Sequence, residues 1–213
     1  MKRPRVLLAD DHSLVLEGFR RILEDECEIV GTVEDGRALL ECAARLKPHV
    51  VLLDISMPLL NGIDATRQLK KAFPDIKVIF VTMHADPAYL NEAFKAGASG
   101  YLLKRSAGSE LAQAIHSVLE GNYFVTPLLT KGLVTSAIGD APIPATRQSV
   151  LTPRQREVLQ LVAEGKAVKE IAQLLNISPK TVEFHKAQIM EQLDLRTTAE
   201  LTKYAMAHGL TTP

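Results

Sequence analysis

The sequence predicts an α/β fold: a (βα)5 doubly wound parallel sheet followed by a small all-α domain. From Arg5 to about Gly121, short runs rich in Val, Ile and Leu alternate with segments of helical period. The runs are continuously apolar, which is typical of parallel strands covered by helices on both faces. After Leu151 no strand-like run remains. A length of 213 residues and 46% apolar content favour two modest domains over one.

The first domain is predicted to span residues 1–121. Its helical segments are amphipathic, as in the first, where Val15, Phe19, Ile22 and Leu23 are expected on one face. The five strands are predicted at Val6–Ala9, Ile29–Val33, Val50–Leu53, Val78–Val81 and Gly100–Leu103.

Residues 122–150 are predicted as a linker. A short helix around Pro127–Ala137 leads into GDAPIPATRQ, which is rich in Pro and small residues. In residues 151–213, Pro, Gly and Asn mark the ends of four predicted helices. Ser178 and Pro179 form an N-cap and first-turn pair for the third of them. The four helices are Pro153–Ala163, Ala167–Leu175, Pro179–Leu193 and Thr197–His208.

Composition and charge exclude several classes of protein. No stretch approaches the roughly 20 apolar residues needed to cross a bilayer. The start, MKRPRVLLADD, reaches acidic residues before a signal-peptide core is complete, so a cytoplasmic protein without membrane contact is expected. Cys27 and Cys42 lack metal-ligand spacing, and we assign them no chemistry. The balanced charge argues against a chain coated in basic residues but leaves room for a local basic face.

Polar side chains follow the predicted strands. Because the carboxyl ends of parallel strands meet at one edge of a sheet, Asp10, Asp11, Asp54, Thr82 and Lys104 are expected to converge. Crowded carboxylates repel one another unless a cation compensates them. Oxygen ligands without Cys or His favour Mg²⁺ or Mn²⁺ over zinc. With an ammonium and a hydroxyl nearby, the site suits a carboxylate that accepts a phosphoryl group.

These residues carry a family resemblance. The ordered set LADDH, VVLLDISMPLLNG, IFVTMH and AGASGYLLK resembles the receiver domain of bacterial two-component response regulators over about 120 residues. The resemblance implies that a histidine kinase phosphorylates Asp54. It implies further that Asp10, Asp11, Asp54 and the carbonyl of Ser56 bind Mg²⁺. Lys104 would then pair with the phosphoryl group, while Thr82 and Tyr101 would act as the switch.

Simpler roles remain open for single residues. An isolated Asp at a strand end is often a helix N-cap, and Tyr101 alone could be a core residue. Two positions depart from the receiver pattern: Arg105 stands where many receivers have proline, and Met83 follows Thr82 where smaller residues are frequent. The bulk of Met83, with His84 beyond it, is expected to limit water access to phosphorylated Asp54.

The C-terminal helices predict a helix-turn-helix. Two helices are joined by the short turn Asn176–Ser178, and the second has an outward line of side chains at i, i+3, i+4 and i+7. The sequence from Leu151 almost to the end resembles the DNA-binding domain of NarL/FixJ (LuxR-type) regulators. The DNA-contacting residues that this implies are Lys180, Thr181, Glu183, Phe184, His185, Lys186 and Ala187.

Three features of this domain have alternative interpretations. Glu183 can form an intrahelical ion pair with Lys180 or Lys186, which we favour, or accept a hydrogen bond from cytosine N4. Phe184 can contact a thymine methyl or pack on its own domain. The helix Thr197–Gly209, with Leu201, Tyr204 and Ala205 on one face, can form a dimer interface or simply close the core.

The sequence therefore predicts a transcriptional response regulator rather than an enzyme. Its expected partners are a sensor histidine kinase, promoter DNA bound as a homodimer, and RNA polymerase. A phosphohydrolase is disfavoured, because Asp54 is followed by Ile55 and Ser56 and lacks an aspartate two residues on. A regulator that binds DNA without being phosphorylated is disfavoured by the intact acidic residues.

Overall fold

The structure is a computed structural model that describes residues 3–129 and 151–211. They form two compact units, one at each end of the chain. The predicted stretch GDAPIPATRQ lies outside the described residues. So does most of the predicted helix around Pro127–Ala137, of which residues 127–129 are described and helical. Among the residues described, no helix is both long and apolar enough to cross a bilayer.

The N-terminal unit is built on a parallel sheet, as predicted. Its six strands are ordered β2-β1-β3-β4-β5-β6, and all five neighbouring pairs are parallel. The strand β6 was not predicted and lies in the segment that we assigned to the linker; it extends the sheet beside β5. The strands are β1 (Arg5–Ala9), β2 (Glu28–Val33), β3 (Val50–Leu53), β4 (Lys77–Thr82), β5 (Gly100–Leu103) and β6 (Phe124–Val125).

Five helices cover the two faces of this sheet. Alternate residues of a strand point to opposite faces. Accordingly Val6 and Leu8 of β1 join the core beneath α1 and α5. Leu16, Phe19 and Leu23 of α1 are buried, whereas the predicted core residue Ile22 is 39% exposed because it lies at the edge of the apolar stripe. The helices are α1 (Ser13–Leu23), α2 (Gly36–Leu46), α3 (Gly62–Ala72), α4 (Pro87–Ala96) and α5 (Ala107–Leu119).

Capping residues fix where these helices begin and end. Asp35 accepts hydrogen bonds from the backbone N–H groups of Arg37 and Ala38, both at 2.8 Å, and so starts α2. Asp86 and Pro87 start α4, and Gly97 ends it in the left-handed conformation that favours glycine. After β5, Lys104–Ser106 form a single 3₁₀ turn. The Lys104–Arg105 peptide is trans, since the described residues contain no cis peptide bond.

The C-terminal unit is all-helical, as predicted. Its helices are α6 (Pro153–Ala163), α7 (Val168–Leu175), α8 (Pro179–Leu193) and α9 (Thr198–Ala207). The predicted starts Ala167 and Thr197 are N-cap residues. Asn176, with φ 52°, ends α7, and the Ser178 hydroxyl accepts the Thr181 N–H at 3.1 Å to start α8. The core includes Val158, Leu159, Ile171, Val182, Ile189, Leu201 and Ala205.

Candidate functional site: an acidic pocket and an exposed helix face

The sheet topology brings the predicted acidic residues together. Strands β1 and β3 are neighbours, but their connections leave toward opposite sides of the sheet, which opens a crevice at their carboxyl ends. Asp10 directly follows β1 and Asp54 directly follows β3, and the Asp54 N–H donates to the Ala9 carbonyl at 3.0 Å. We call Asp10, Asp11, Asp54, Thr82 and Lys104 the acidic pocket.

Lys104 binds two carboxylates at once. Its Nζ lies 2.7 Å from Asp10 Oδ2 and 2.7 Å from Asp54 Oδ2. Both carboxylates are buried, and the Lys104 side chain is only 12% exposed. Although burial opposes its charged form, the hydrogen bonds to Asp10 and Asp54 raise the pKa of Lys104 above its usual value, so it stays an ammonium. Lys104 therefore lies at the acidic residues, as its position after β5 predicts.

The surroundings of the Asp10 carboxyl disfavour its ionised form. Burial raises its pKa, and Lys104 and the His12 N–H offset only part of this effect. Asp54 has a different environment, since its second oxygen, Oδ1, accepts the N–H of Ile55 at 2.6 Å. Each oxygen of Asp54 is therefore directed by a donor before any ligand binds.

Asp10 and Asp11 each place one carboxylate oxygen close to the ring of His12. The ring Nδ1 of His12 lies 3.2 Å from Asp10 Oδ1 and 2.8 Å from Asp11 Oδ1. Asp11 Oδ1 is shielded from solvent and makes no well-formed hydrogen bond within the described residues. The ligand atoms of these residues lie within 4.8 Å of one another. Two convergent carboxylate oxygens, one of them poorly satisfied, fit a hard divalent cation such as Mg²⁺.

The predicted switch residues flank this pocket. Thr82 is fully buried at the end of β4, and its Oγ1 accepts the N–H of His84 at 3.4 Å. The Tyr101 ring is also fully buried, and its hydroxyl donates to the His84 carbonyl at 2.8 Å. Because burial raises the pKa of Tyr101 well above its usual range, the phenol remains a donor at neutral pH. Tyr101 is thus both a core residue and a hydrogen-bond donor to the loop after β4.

His84 connects that loop to the loop after β3. Its Nε2 lies 3.0 Å from the Ser56 hydroxyl, and its ring stacks on Tyr89 with centroids 4.3 Å apart. Met83, in contrast, is 71% exposed. The side chain beside Ser56, two residues from Asp54, is therefore that of His84 rather than the bulk of Met83.

Gly62 allows the chain to pass close to the backbone at the end of β3. Its N–H donates to the Ile55 carbonyl at 2.8 Å. A Cβ atom at this position would lie 2.0 Å from the Asp54 carbonyl oxygen, which no side chain can accommodate without a backbone shift. The glycine of the MPLLNG motif is thus required by space.

The structure brings Asp10, Asp54 and Lys104 into direct contact, and His12 joins Asp11 to Asp10. Thr82 lies at the end of β4, where it is bonded to His84. The structure also reveals contributions that the sequence analysis did not assign, from His12 and from the Ser56–His84 hydrogen bond. His12 had a signal, because it directly follows the two aspartates in LADDH. Ser56 and His84 had none, since they are 28 residues apart and their contact depends on side-chain geometry.

The second candidate site is the outward face of α8, which we define as Lys180, Glu183, Phe184 and Ala187. All four side chains are exposed, whereas Val182 and Ile189 are buried on the opposite side. The other predicted DNA-contacting residues are less exposed. Thr181 shares a 2.8 Å hydrogen bond with the Ser178 hydroxyl, and His185 and Lys186 are half-buried.

The favoured interpretation of Glu183 is wrong. Within residues 3–129 and 151–211, no ion pair links Glu183 to Lys180 or Lys186. Both lysines lie three residues from Glu183, but the residues four positions away, Pro179 and Ala187, carry no charge. Phe184 is 58% exposed, so its own domain covers less than half of the ring.

The last helix closes the core. Leu201 and Ala205 of α9 are buried within the C-terminal unit. The Tyr204 ring stacks on His208 at 3.8 Å between centroids and packs beside the same core. The face of α9 that we considered for a dimer is therefore occupied within its own domain.

Comparisons with known proteins match both parts of the chain. Residues 6–116 match the family model of the response regulator receiver domain, and residues 149–205 match that of the luxR family of bacterial regulatory proteins. The chain is 36% identical to the oxygen regulatory protein NreC of Staphylococcus carnosus, covering 97% of this chain and 98% of NreC. It is also 36% identical to the transcriptional regulatory protein MctR of Rhizobium johnstonii, covering 97% and 94% of the two chains.

Solved structures give the same assignment. The response regulator RcsB of Salmonella typhimurium superposes with a TM-score of 0.65 at 31% identity, covering all of both chains. A complex of RcsB with DNA matches with a TM-score of 0.59 at 33% identity, covering 95% of this chain and 98% of that one. The chain therefore belongs to the two-component response regulators that join a receiver domain to a LuxR-type DNA-binding domain, and it is a transcriptional regulator rather than an enzyme.

Proposed function

We propose that phosphoryl transfer to Asp54 switches the DNA-binding activity of this regulator. The observation that carries the proposal is the Lys104 ammonium, 2.7 Å from carboxylate oxygens of both Asp10 and Asp54. An ammonium in this position pairs with the extra negative charge that arrives when Asp54 is phosphorylated. The Ile55 N–H on the other oxygen of Asp54 holds the carboxylate in a fixed orientation for attack.

Asp10, Asp11 and Asp54, with the backbone carbonyl of Ser56, would hold Mg²⁺ or Mn²⁺. The cation supplies positive charge that offsets the carboxylates and the phosphoryl oxygens. In the transfer, a carboxylate oxygen of Asp54 forms a bond to phosphorus as the phosphorus–nitrogen bond of a phosphohistidine in a sensor kinase breaks. The kinase histidine keeps the electron pair of the broken bond.

Thr82 and Tyr101 would couple the added phosphoryl charge to the loop after β4. Both bind the backbone of His84, so a movement of the Thr82 hydroxyl toward the phosphoryl group would remove one of these two hydrogen bonds to the loop. The phosphoryl group thereby biases two states of the receiver domain. This domain would span residues 1–121, with a linker at 122–150 and the DNA-binding domain at 151–213.

The outward face of α8 would enter the major groove of promoter DNA. Lys180, Thr181, Glu183, Phe184, His185, Lys186 and Ala187 are the proposed contacts. The relative RcsB has been solved as dimers bound to DNA, which supports binding of DNA as a homodimer, with RNA polymerase as a further partner. We propose that the protein works in the cytoplasm, where promoter DNA and the kinase domain would be accessible.

One experiment tests the proposal. The purified chain is incubated with acetyl phosphate and Mg²⁺, and its intact mass and its affinity for DNA selected from a random duplex pool are measured. We expect a phosphoryl adduct and tighter DNA binding, and both are lost in Asp54→Asn. Asp64→Asn is the matched control, because Asp64 is a buried aspartate on α3 outside the acidic pocket.

Two results would contradict the switch. An adduct that persists in Asp54→Asn would place the acceptor elsewhere. DNA binding that is equal with and without the adduct would show that the receiver domain does not control the DNA-binding domain.

A further inference from the structure

The outward face of α8 carries a negative charge where DNA contact is proposed. Glu183 is exposed, and it shares this face with Lys180, Phe184 and Ala187. A carboxylate is repelled by DNA phosphates, so its presence here requires a physical explanation. An ion pair with a neighbouring lysine would offset the charge of Glu183 and leave it without a direct role in DNA contact.

The structure removes that explanation. No ion pair or side-chain hydrogen bond in the described part of the chain engages Glu183, and neither Lys180 nor Lys186 has an acidic partner there. The carboxylate is thus free to meet a ligand directly. The next residue, Phe184, belongs to the same face and is 58% exposed. When this face meets a ligand, the apolar ring would exclude water from part of the contact.

We infer that Glu183 determines sequence specificity by accepting a hydrogen bond from cytosine N4 in the major groove. This rests on the proposed function of α8 in DNA binding. Among the major-groove edges, guanine offers two acceptors at N7 and O6, and thymine offers an acceptor and a methyl group. Adenine offers a donor at N6, but its acceptor N7 lies beside it and repels a carboxylate. Cytosine alone presents a donor without an acceptor on the same base.

The exposed apolar ring of Phe184 strengthens the selection. A carboxylate that is desolvated beside this ring and left without a donor loses its hydrogen bonds to water, so wrong bases are penalised. The unpaired Glu183 carboxylate therefore favours cytosine and disfavours the other three bases. Lys180, one turn earlier on the same face, can approach a phosphate without competing for the base.

The test uses the full chain, phosphorylated with acetyl phosphate and Mg²⁺. Bound duplexes are selected from a random pool, and affinities are then measured for duplexes that differ at one base pair. Wild type is expected to require cytosine at one position of each half-site, by a factor of roughly 5 to 150 over other bases. Glu183→Gln should move the preference at that position to adenine, and Glu183→Lys should move it to guanine, with the other positions unchanged.

Glu191→Gln is the matched control. Glu191 is an exposed glutamate near the C-terminal end of the same helix, roughly two turns beyond Glu183, so this substitution removes the same charge from α8 while it keeps the Glu183 carboxylate. It should leave the selected sequence unchanged. If Glu183→Gln selects the same sequence as wild type, or changes affinity equally for all duplexes as Glu191→Gln does, the cytosine readout is wrong.

Failure of the proposed function gives a different result. If the phosphorylated wild-type chain enriches no sequence from the pool, DNA recognition by α8 and the readout by Glu183 both fall. If wild type enriches a sequence that lacks a required cytosine, the proposed function stands and the readout alone is overturned.

Discussion

Lys104 and Lys180 carry the same charged group in opposite surroundings. Lys104 is 12% exposed and lies 2.7 Å from two buried carboxylates, whereas Lys180 is exposed and has no acidic partner among the described residues. In the acidic pocket the ammonium of Lys104 is paired within the chain. The outward face of α8 leaves its charges for a partner to satisfy.

The difference shows how two kinds of site can be identified. A site that performs chemistry on a small group must hold its residues in place beforehand, so its contacts are present in the free protein. A surface that binds a large polyanion can form its contacts when the partner binds. It is recognised by exposed charged side chains that have no contacts within the protein. Four predictions test this comparison.

The largest effect is expected for Lys104→Met. Removal of the ammonium leaves the Asp10 and Asp54 carboxylates buried without a cation, and the free energy of unfolding at pH 7 without divalent ions should fall by about 3 kcal/mol. Urea denaturation of this variant and of Lys180→Met measures the contrast. Lys180→Met should stay within about 0.5 kcal/mol of wild type. Equal losses in the two variants would remove the distinction between the sites.

A smaller effect, of opposite sign, is expected for Asp10→Asn. Since burial raises the pKa of Asp10 in the folded state, the folded protein prefers the protonated carboxyl, and stability is lost as the pH rises from about 3.8, the ordinary value, through the folded pKa. Asn removes that loss. The variant should be more stable than wild type in denaturation at pH 7, with the difference shrinking as the pH falls toward 3.8. A difference that grows on acidification would show that Asp10 is stabilising when ionised.

His84→Ala should shorten the lifetime of the phosphoryl group on Asp54 more than Met83→Ala does. The His84 ring is bound to Ser56, while Met83 is 71% exposed. Loss of one hydrogen bond of about 1 kcal/mol corresponds to about fivefold in rate. Intact-mass measurements over time after removal of the phosphodonor give the lifetimes. A larger effect from Met83→Ala would support the prediction that the bulk of Met83 limits water access.

The smallest effect is expected for Lys180→Met on DNA binding. A lysine that contacts a phosphate contributes about one unit to the slope of log affinity against log salt concentration. Titrations of selected DNA at several salt concentrations should show a slope that is shallower by about this amount, with the selected sequence unchanged. If the slope is unchanged, Lys180 does not contact a phosphate.

Much of the fold could be predicted because apolar runs and capping residues are local signals. The four consecutive apolar residues of β3 and the Ser178–Pro179 start of α8 were both found where the sequence placed them. The strand β6 was missed because it has two residues, too few to show a period, and because its pairing with β5 is a tertiary contact. The convergence of Asp10, Asp54 and Lys104 could be anticipated from their positions at strand ends.

Side-chain pairing was less predictable. A glutamate three residues from two lysines can form an ion pair, but an exposed pair gains little and loses rotamer freedom, so the sequence cannot decide whether it forms. The Ser56–His84 hydrogen bond depends on the approach of two loops that are far apart in sequence.

The net charge of the acidic pocket also favours one valence of bound cation. Three carboxylates, those of Asp10, Asp11 and Asp54, face a single ammonium, that of Lys104, so the ionised pocket carries two uncompensated negative charges. One divalent ion brings that sum to zero, whereas a monovalent ion leaves a deficit and a trivalent ion creates an excess. Phosphorylation of Asp54, as proposed, would then add charge to a neutral pocket. The added charge would therefore be a departure from zero rather than a small increment on an existing excess.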